Sequence, residues 1–421
     1  MICTFRVENF KSYAEPTEFN FFADHNIKRF DCNYIPTQSK GILKTIGFYG
    51  PNNTGKTCTL LSLLGLRALM LNEPHGNLEN SFSSRGSVTS FVVEYYVNGR
   101  FYVYSVDYDN ATKTYERESL VRKDYGSTSC SKTTIFERSR NQLSWIEMLG
   151  GLKKAAALQL FSFTLPFMVV VADEGNEELA QAKKDYFAFA RSILFLKMDG
   201  PVDISKTMRL MQADPKAARF VKEFVKNCDL HIDDFGFDDN VVSDANIDGP
   251  LEAALNDPSF VKESLKLYSK HNGYRVPSVL FDSVGTMKLV ALSGYIYESL
   301  REEKTLIIDE IDSSLHHILT RSIVAMFNNA LNKKSQLLFT THDVLLLDLR
   351  NLLRKDQVWF IDLSDDQRSS KAVRMSKEFP SRAEKGVRGD EDVTQYYLKG
   401  HFGSIPTPDL FLSLEEATAD E

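Results

Sequence analysis

A run of eight residues combines glycine, lysine and threonine at a spacing that suits phosphate binding. It matches G-x-x-x-x-G-K-[ST] and follows an apolar stretch, Ile46 to Tyr49, that predicts a short buried strand. The two glycines permit backbone conformations that a Cβ would forbid, so consecutive N–H groups can point at one anion. The helix that follows adds the positive end of its dipole. The residues are Gly50, Pro51, Asn52, Asn53, Thr54, Gly55, Lys56 and Thr57.

This turn predicts a site for a nucleoside triphosphate and a magnesium ion. A triphosphate carries concentrated negative charge and many acceptor oxygens, which suit a cradle of N–H donors. Lys56 would reach the β- and γ-phosphates, and the Thr57 hydroxyl would ligate Mg²⁺. We therefore predict ATP and Mg²⁺ as cofactors. The predicted nucleotide-binding residues are the eight above and Cys58.

Two further segments, each at the end of a predicted strand, supply carboxylates and a histidine. Asp309 and Glu310 follow an apolar run that ends at Ile308, and His342 follows the next strand. Ligands in open α/β sheets bind outside the carboxyl ends of strands, so we expect these residues beside the phosphate turn. Asp309 would hold Mg²⁺, and Glu310 would polarise the attacking water. His342 would bond the γ-phosphate, which makes Glu310, His342 and Lys56 the predicted catalytic residues.

A helix start before the acidic strand leaves two interpretations open. The segment Ser283-Val-Gly285-Thr286 begins a predicted helix. It is either a second helix N-terminus suited to an anion, with a serine hydroxyl beside it, or a simple N-cap formed by Asp282 or Ser283. One phosphate can use two such helix ends only if they face each other.

The elements that must position these residues alternate between strand and helix at both ends of the chain. The first part predicts a strand over Ile2–Val7, a helix over Thr57–Leu71 and a hairpin that turns at Asn98-Gly99. The part after Ser278 predicts helix, strand, helix and strand in turn, with a helix beginning at Ser313. This alternation implies a parallel sheet with crossover helices.

The middle of the chain has a different pattern. From Leu143 to about Leu230 apolar residues recur at three- and four-residue spacing, as in "EELAQAKKDYFAFARSILF", which predicts mainly helix. The simplest topology is one nucleotide-binding sheet built from both ends of the chain, interrupted by a large insertion. We predict three parts: residues 1–142 with the phosphate turn and a β-hairpin subdomain, a mainly helical insertion over 143–275, and residues 276–421 with the acidic strand.

Composition restricts the class of protein. The net charge is −7, and 43% of residues are hydrophobic and 25% charged, as in ordinary soluble domains. No basic run is present, so charge does not indicate DNA binding, although a local basic groove is compatible with the sequence. The five cysteines are scattered, and the N-terminus lacks the features of a signal peptide. We expect a cytoplasmic protein without a membrane partner.

The order of these motifs resembles that of the ABC-type ATPases, and within them the SMC-like and OLD-like branch. More narrowly, the chain is similar to stand-alone bacterial ATPases of the RloA and abortive-infection AbiL type, which are associated with phage-defence loci. The resemblance runs from end to end, and is strong in the nucleotide motifs and weak in the insertion. It is carried by "RVENFKSY", "GPNNTGKT", "DSVGT", "LIIDEIDSSLH", "FTTHDVLLLD" and "YYLKGHFGSIP".

The resemblance implies a fold, a dimer and further site residues. The fold is α/β: an ABC-type P-loop nucleotide-binding domain, with a mixed sheet and an antiparallel β subdomain, plus a mainly helical insertion. Two protomers would sandwich two nucleotides, and Ser283 and Gly285 of one chain would complete the site of the other. Asp312 would belong to the loop that crosses between the two sites. The implied partners are a second copy, or a higher homo-oligomer, and a separate effector protein.

The sequence departs from these relatives at several points. Thr54 and Thr57 stand where serine is more common, and His317 replaces the proline after "LH". The glutamine with which many ABC-type ATPases sense Mg²⁺ has no identifiable counterpart. The nuclease domain that follows the motor in OLD proteins is also not expected here.

Two functions are compatible with this pattern. The first is an ATP-hydrolysing switch of an anti-phage system that controls a separate nuclease or toxin. The alternative is an SMC-like ATPase that binds DNA for repair or maintenance. The middle region lacks the sustained heptads of SMC proteins, which favours the first. A scaffold that binds ATP without turnover ranks last, because it would not need Glu310.

Overall fold

The computed structural model describes most of the chain, and the site lies within the described part. The described residues are 1–38, 40–80, 86–126, 129–140, 163–172, 176–200, 202–228, 230–238, 264–364, 369–379 and 391–403, together with the backbone of 145–148.

The strands and helices are numbered here in chain order. The strands are β1 (Ile2–Glu8), β2 (Thr17–Asn20), β3 (Tyr34–Pro36), β4 (Gly41–Leu43), β5 (Thr45–Tyr49), β6 (Val88–Val97), β7 (Arg100–Asp109), β8 (Thr114–Tyr125), β9 (Cys130–Ser139), β10 (Trp145–Met148), β11 (Ile193–Lys197), β12 (Asp234–Phe237), β13 (Leu267–His271), β14 (Tyr274–Pro277), β15 (Thr305–Asp309), β16 (Gln336–Thr340), β17 (Val358–Leu363) and β18 (Ser370–Arg374). The helices are α1 (Lys56–Leu71), α2 (Phe167–Val170), α3 (Glu177–Arg191), α4 (Ser205–Ala213), α5 (Pro215–Lys226), α6 (Ser278–Phe281), α7 (Val284–Glu302), α8 (His317–Asn328), α9 (Met375–Glu378) and α10 (Val393–Leu398).

A six-stranded sheet carries the site at its carboxyl edge. Its order is β11-β15-β16-β5-β17-β18, with parallel pairing throughout except between β17 and β18. Every residue of β5, β15 and β16 is buried, as expected for parallel strands covered on both faces. Strand β5 comes from the start of the chain and β15 to β18 from its last third, so the two ends of the polypeptide build one sheet.

A seven-stranded antiparallel sheet covers one face of α1. Its order is β10-β9-β8-β7-β6-β1-β2, and the β6–β7 hairpin turns at Asn98 and Gly99, which have φ of 49° and 81°. Positive φ at both central residues is what a type I′ hairpin turn requires. Apolar side chains of α1 share one core with both sheets. The predicted α/β fold class, a mixed sheet with an antiparallel β subdomain, is therefore confirmed.

Helices α4 and α5 and the small sheet β12-β13-β14 form a lobe against α7. The two approach closely at Gly294 of α7, where an added Cβ would lie 2.2 Å from the Thr207 hydroxyl oxygen. That hydroxyl also donates to the Ala291 carbonyl at 2.8 Å. The lobe is therefore packed tightly against the helix that begins after Ser283.

The structure corrects two predicted elements. Residues 193–197, predicted as the end of a helix, form strand β11, which pairs with β15 in parallel from Ile193 to Lys197. Pairing at the sheet edge overrides the three- and four-residue spacing inherited from α3. The helix predicted from Ser313 begins at His317, because Ser314 has a φ of 63° and interrupts it.

The predicted insertion therefore contributes one strand to the nucleotide-type sheet, besides helices α2 to α5. Much of the rest of it, residues 149–162 and 239–263, lies outside the described residues. The three-part division stays a prediction. No helix in the described ranges is both long enough and apolar enough to cross a bilayer.

Candidate functional site

The turn between β5 and α1 adopts backbone conformations that explain its glycines. Gly50, Asn53 and Gly55 have φ of 149°, 63° and 102°. Space is limited as well. A Cβ on Gly50 would lie 2.1 Å from the Ile361 carbonyl oxygen, and one on Gly55 would lie 2.1 Å from the Ser370 hydroxyl oxygen. Both positions therefore require glycine for conformation and for packing.

Lys56 is held under this turn by backbone carbonyls. Its side chain is buried, and Nζ donates to the carbonyl oxygens of Gly50 at 2.9 Å and Pro51 at 2.6 Å. Burial lowers the pKa of Lys56 to about 8, although Glu310 and Asp309 oppose the shift. A buried ammonium group bonded to neutral carbonyls is costly until an anion reaches it. The group is therefore suited to a phosphate.

The Asp309 carboxylate connects three elements of the fold, β15, α1 and β16, through hydrogen bonds. It is fully buried at the end of β15, and the Thr57 hydroxyl at the start of α1 donates to its two oxygens at 3.1 and 3.0 Å. The Thr340 hydroxyl, at the end of β16, donates to Oδ1 at 2.7 Å and accepts the Glu310 N–H at 2.7 Å. The structure thus brings together the predicted residues from opposite ends of the chain.

The donor set at this point fits a magnesium ion. The Thr57 hydroxyl and the Asp309 carboxylate are hard oxygen ligands that already touch. Mg²⁺ in nucleotide sites is commonly held by one or two such protein oxygens, with phosphates and water completing the shell. In the described ranges, no group of three or more His, Cys, Asp or Glu residues is placed to hold a metal by itself. The site therefore fits a metal ion that arrives with the nucleotide.

Glu310 follows Asp309 in a left-handed backbone conformation, with a φ of 54°. Its side chain is partly buried, and removal from water is the main cause that raises its pKa. Asp199 and Asp309 add negative charge nearby and raise it further, while Lys197 opposes them. A carboxylate with a raised pKa is a better proton acceptor than one in water.

His342 and Asp312 lie in loops that touch. The backbone N–H of His342 is 3.3 Å from both carboxylate oxygens of Asp312. Loss of water around the ring, and then the nearby Lys56, lower the pKa of His342. A neutral ring can donate a hydrogen bond from one nitrogen and accept one at the other. His342 is exposed, so a ligand can reach it.

The helix start at Ser283 shows the N-cap that the simpler interpretation predicted. The Ser283 hydroxyl accepts the Thr286 N–H at 3.1 Å. Ser283 is nevertheless exposed, and its neighbours Phe281 and Val284 are 64% and 65% exposed. The cap and a role toward a second chain are compatible, because Ser283 as a residue remains exposed.

The sequence did not reveal four residues around the site. Thr340 bridges Asp309 and Glu310, and the Ser370 hydroxyl donates to the Thr54 carbonyl at 2.7 Å behind the phosphate turn. Lys197 lies beside Asp309 in the β11–β15 register and pairs with Asp199 at 2.9 Å. Only Thr340 had a readable signal, as a polar residue at a strand end in "LLFTTHD". The others meet the site through strand pairing that local sequence does not encode.

Comparisons with known proteins identify one family. A model described as "AAA domain, putative AbiEii toxin, Type IV TA system" matches residues 46–348. No curated protein sequence matches the chain.

Several solved structures are similar over 89% of this chain. They include an SMC head domain from Thermotoga maritima (12% identity, 98% of that chain, TM-score 0.41). An SMC head bound to the C-terminal winged-helix domain of ScpA has 13% identity, 98% coverage of its chain and a TM-score of 0.46. An SMC head with an extended coiled coil, bound to the C-terminal domain of ScpA from Pyrococcus furiosus, has 11% identity, 97% coverage and a TM-score of 0.44. At these values the resemblances say nothing about substrate or partner.

The pKa of Lys56 predicts a pH dependence for nucleotide binding. An anionic ligand raises this pKa above its value of about 8 in the free protein, so binding above that pH takes up a proton. Without Mg²⁺, the dissociation constant of ADP should rise by up to about tenfold per pH unit above pH 8, until the raised pKa of Lys56 in the complex is reached. Calorimetric titration in two buffers of different ionisation enthalpy measures the uptake. In Lys56→Arg, which stays charged, the dissociation constant of ADP should not rise with pH in this range. Binding of ADP by the wild type without proton uptake at high pH would contradict the role given to Lys56.

Proposed function

The chain belongs to this AAA domain family, and on that premise we propose that it is an ATP-hydrolysing switch of the ABC type. The observation that carries the proposal is the contact between Thr57, beside the phosphate turn, and Asp309, at the end of the acidic strand. A phosphate-binding turn and a magnesium-binding carboxylate are useful together, and here they touch. This arrangement suits phosphoryl transfer to water, in which positioning and electrostatic stabilisation do most of the work.

Each residue has a distinct proposed role. The backbone N–H groups of the turn over residues 50–58, all of which except Pro51 have one, and the Lys56 ammonium bind the phosphates. Thr57 and Asp309 would hold Mg²⁺, which when bound neutralises charge on the β- and γ-phosphates. Glu310 accepts a proton from the attacking water, as its raised pKa favours. His342 bonds the γ-phosphate from the neighbouring strand end.

We propose that the working unit is a pair of chains with two nucleotides between them. Ser283 and Gly285 are at the start of α7, where Ser283 is exposed and the helix N-terminus can face an anion. The apolar neighbours Phe281 and Val284 are also exposed, which suits a surface covered by another protein. In this arrangement α7 of one copy completes the phosphate site of the other, and Asp312 lies between the two sites.

We propose further that the switch acts in defence against phage, as the resemblance to the RloA and AbiL type implies. The family description names a toxin of a toxin–antitoxin system, which agrees with an output that harms the infected cell. In this hypothesis ATP holds the pair of chains together. Hydrolysis, or a signal from the phage, changes the affinity of this pair for a separate nuclease or toxin.

The first prediction concerns turnover by the purified protein. Glu310→Gln should bind ATP normally and lower the turnover number by about 10²-fold or more, because it removes the proton acceptor. Lys56→Ala should weaken ATP binding by roughly 10- to 150-fold, the equivalent of one charge-assisted hydrogen bond. Phosphate release measures turnover, and a fluorescent ATP analogue measures binding. Turnover by Glu310→Gln at the wild-type rate would remove Glu310 from the proposed role.

The second prediction concerns sharing of sites between copies. Glu310→Gln and Ser283→Arg should each be inactive alone, yet an equal mixture that exchanges subunits should recover about a quarter of wild-type turnover. Half of the pairs are then mixed, and each mixed pair has one intact site. In the control mixture, a chain with both substitutions takes the place of the Ser283→Arg chain. This mixture should recover no turnover. A mixture no more active than its components would argue against shared sites.

The third prediction concerns the cell. Phage should form at least about tenfold fewer plaques on a bacterial host that carries this gene and its neighbouring genes than on a host without them. Lys56→Ala should abolish this protection, since it removes the main cation of the phosphate site. Immunoblotting would control for the amount of protein. Equal protection by the Lys56→Ala protein would show that defence does not depend on nucleotide binding.

A further inference from the structure

We propose that Lys288 is a positioning residue that fastens the loop over Glu310–Ser314 to the start of α7. The loop contains the proposed proton acceptor and Asp312, so the proposal rests on the function assigned above. In this view α7 controls the geometry of its own chain's catalytic loop through a single buried side chain. Contact made at Ser283 by another chain is thereby transmitted to Glu310.

The first observation is the environment of Lys288 itself. It lies just over one turn into α7 and is only 2% exposed. Its Nζ donates to the hydroxyl oxygens of Ser313 at 3.2 Å and Ser314 at 3.1 Å. A buried ammonium group is unfavourable unless its N–H groups are hydrogen-bonded. Loss of these two hydrogen bonds would therefore cost free energy. The two hydroxyls therefore hold the loop and the helix together.

The second observation is that the loop has backbone conformations that need support from neighbouring contacts. Glu310 and Ser314 begin and end it, and both have positive φ, 54° and 63°, which side chains other than glycine adopt at a cost. Such conformations persist only where surrounding contacts determine them. One contact is internal, from the Ser313 N–H to the Glu310 carbonyl at 2.9 Å. Another comes from β16, where the Thr340 carbonyl accepts the Ile311 N–H at 3.1 Å.

The third observation is the closeness of the helix backbone to the loop. A Cβ on Gly285 would lie 2.9 Å from the Ser314 carbonyl oxygen, so a larger residue would push the first turn of α7 away. Lys288 follows almost one turn later on the same side of α7 and reaches the same serine. The start of α7 therefore contacts the loop at two points, one in the backbone and one through the ammonium group.

These contacts connect two parts of the proposed site. Ser283 is at the exposed end of α7, and Lys288 links that helix to Ser313 and Ser314. Within the loop, Asp312 accepts the N–H of His342 at 3.3 Å. A shift of α7 therefore displaces Glu310 and the loop of His342 together. Closure of a second chain over Ser283 would align the catalytic residues by this route.

The test compares Lys288→Met, which is one atom shorter and removes the charge, with Lys288→Arg, which keeps charge and donors. Hydrogen–deuterium exchange of the full chain without nucleotide gives the first readout. In Lys288→Met, amides of residues 310–316 should exchange at least about tenfold faster, while peptides from the antiparallel sheet should be unchanged. Lys288→Arg should stay closer to wild type. Unchanged exchange in the loop of Lys288→Met would overturn the proposal.

Steady-state kinetics give the second readout. Lys288→Met should lower the turnover number by about tenfold or more and leave ATP affinity within about twofold, because the phosphate turn is untouched. The Ser313→Ala/Ser314→Ala variant should likewise lose turnover and keep its ATP affinity. Combining it with Lys288→Met should lower the turnover number little further. Proportional loss of affinity and turnover, or fully additive losses, would overturn the coupling. If the wild type shows no turnover, the ATPase assignment fails, while the exchange measurement still decides the role of Lys288.

Discussion

The structure depends on burying one carboxylate at the point where three strand ends converge. Asp309 is fully buried, and its side-chain partners in the described part of the chain are the hydroxyls of Thr57 and Thr340. Taking an ionised carboxylate out of water costs several kcal/mol, and hydroxyl donors offset only part of that cost. Such a group is stable only where the fold forces the strands together, and it is most stable with a cation nearby. The sheet order places β15, β16 and β5 side by side and so creates this requirement.

Backbone strain is also present at the same edge of the sheet. Asn53 in the phosphate turn, and Glu310 and Ser314 in the acidic loop, all have left-handed conformations. Each costs of the order of 1–3 kcal/mol unless neighbouring contacts require it. The contacts come from elements distant in sequence: β18 braces the phosphate turn through Ser370, and α7 braces the acidic loop through Lys288. Helix α7 and strand β18 therefore support the geometry of the phosphate turn and of the acidic loop in their own chain.

The sequence revealed those parts of the site whose chemistry is local. The phosphate turn was readable because its glycines and Lys56 must be consecutive, and Asp309 because an apolar strand ends there. Strand β11 was missed because α3 ends only at Arg191, so the helical spacing runs into the strand. The partners Ser370 and Lys288 carry no signal, since their roles depend on contacts across the fold. Sequence thus predicted which residues meet at this edge and three central strands of the sheet, and the tertiary fold determines what holds them.

Three titratable groups around the phosphate turn show why the ion and the nucleotide belong together. The pKa values of Lys56 and His342 are lowered and that of Glu310 is raised, and removal from water is the largest cause in each case. All three shifts disfavour charge. Electrostatic attraction is stronger where water is partly excluded than in bulk water. A metal-bound triphosphate supplies anionic oxygens to Lys56 and a cation to Asp309 at once. Either component alone would leave one of these buried charges uncompensated, so the geometry favours the complex over its separate parts.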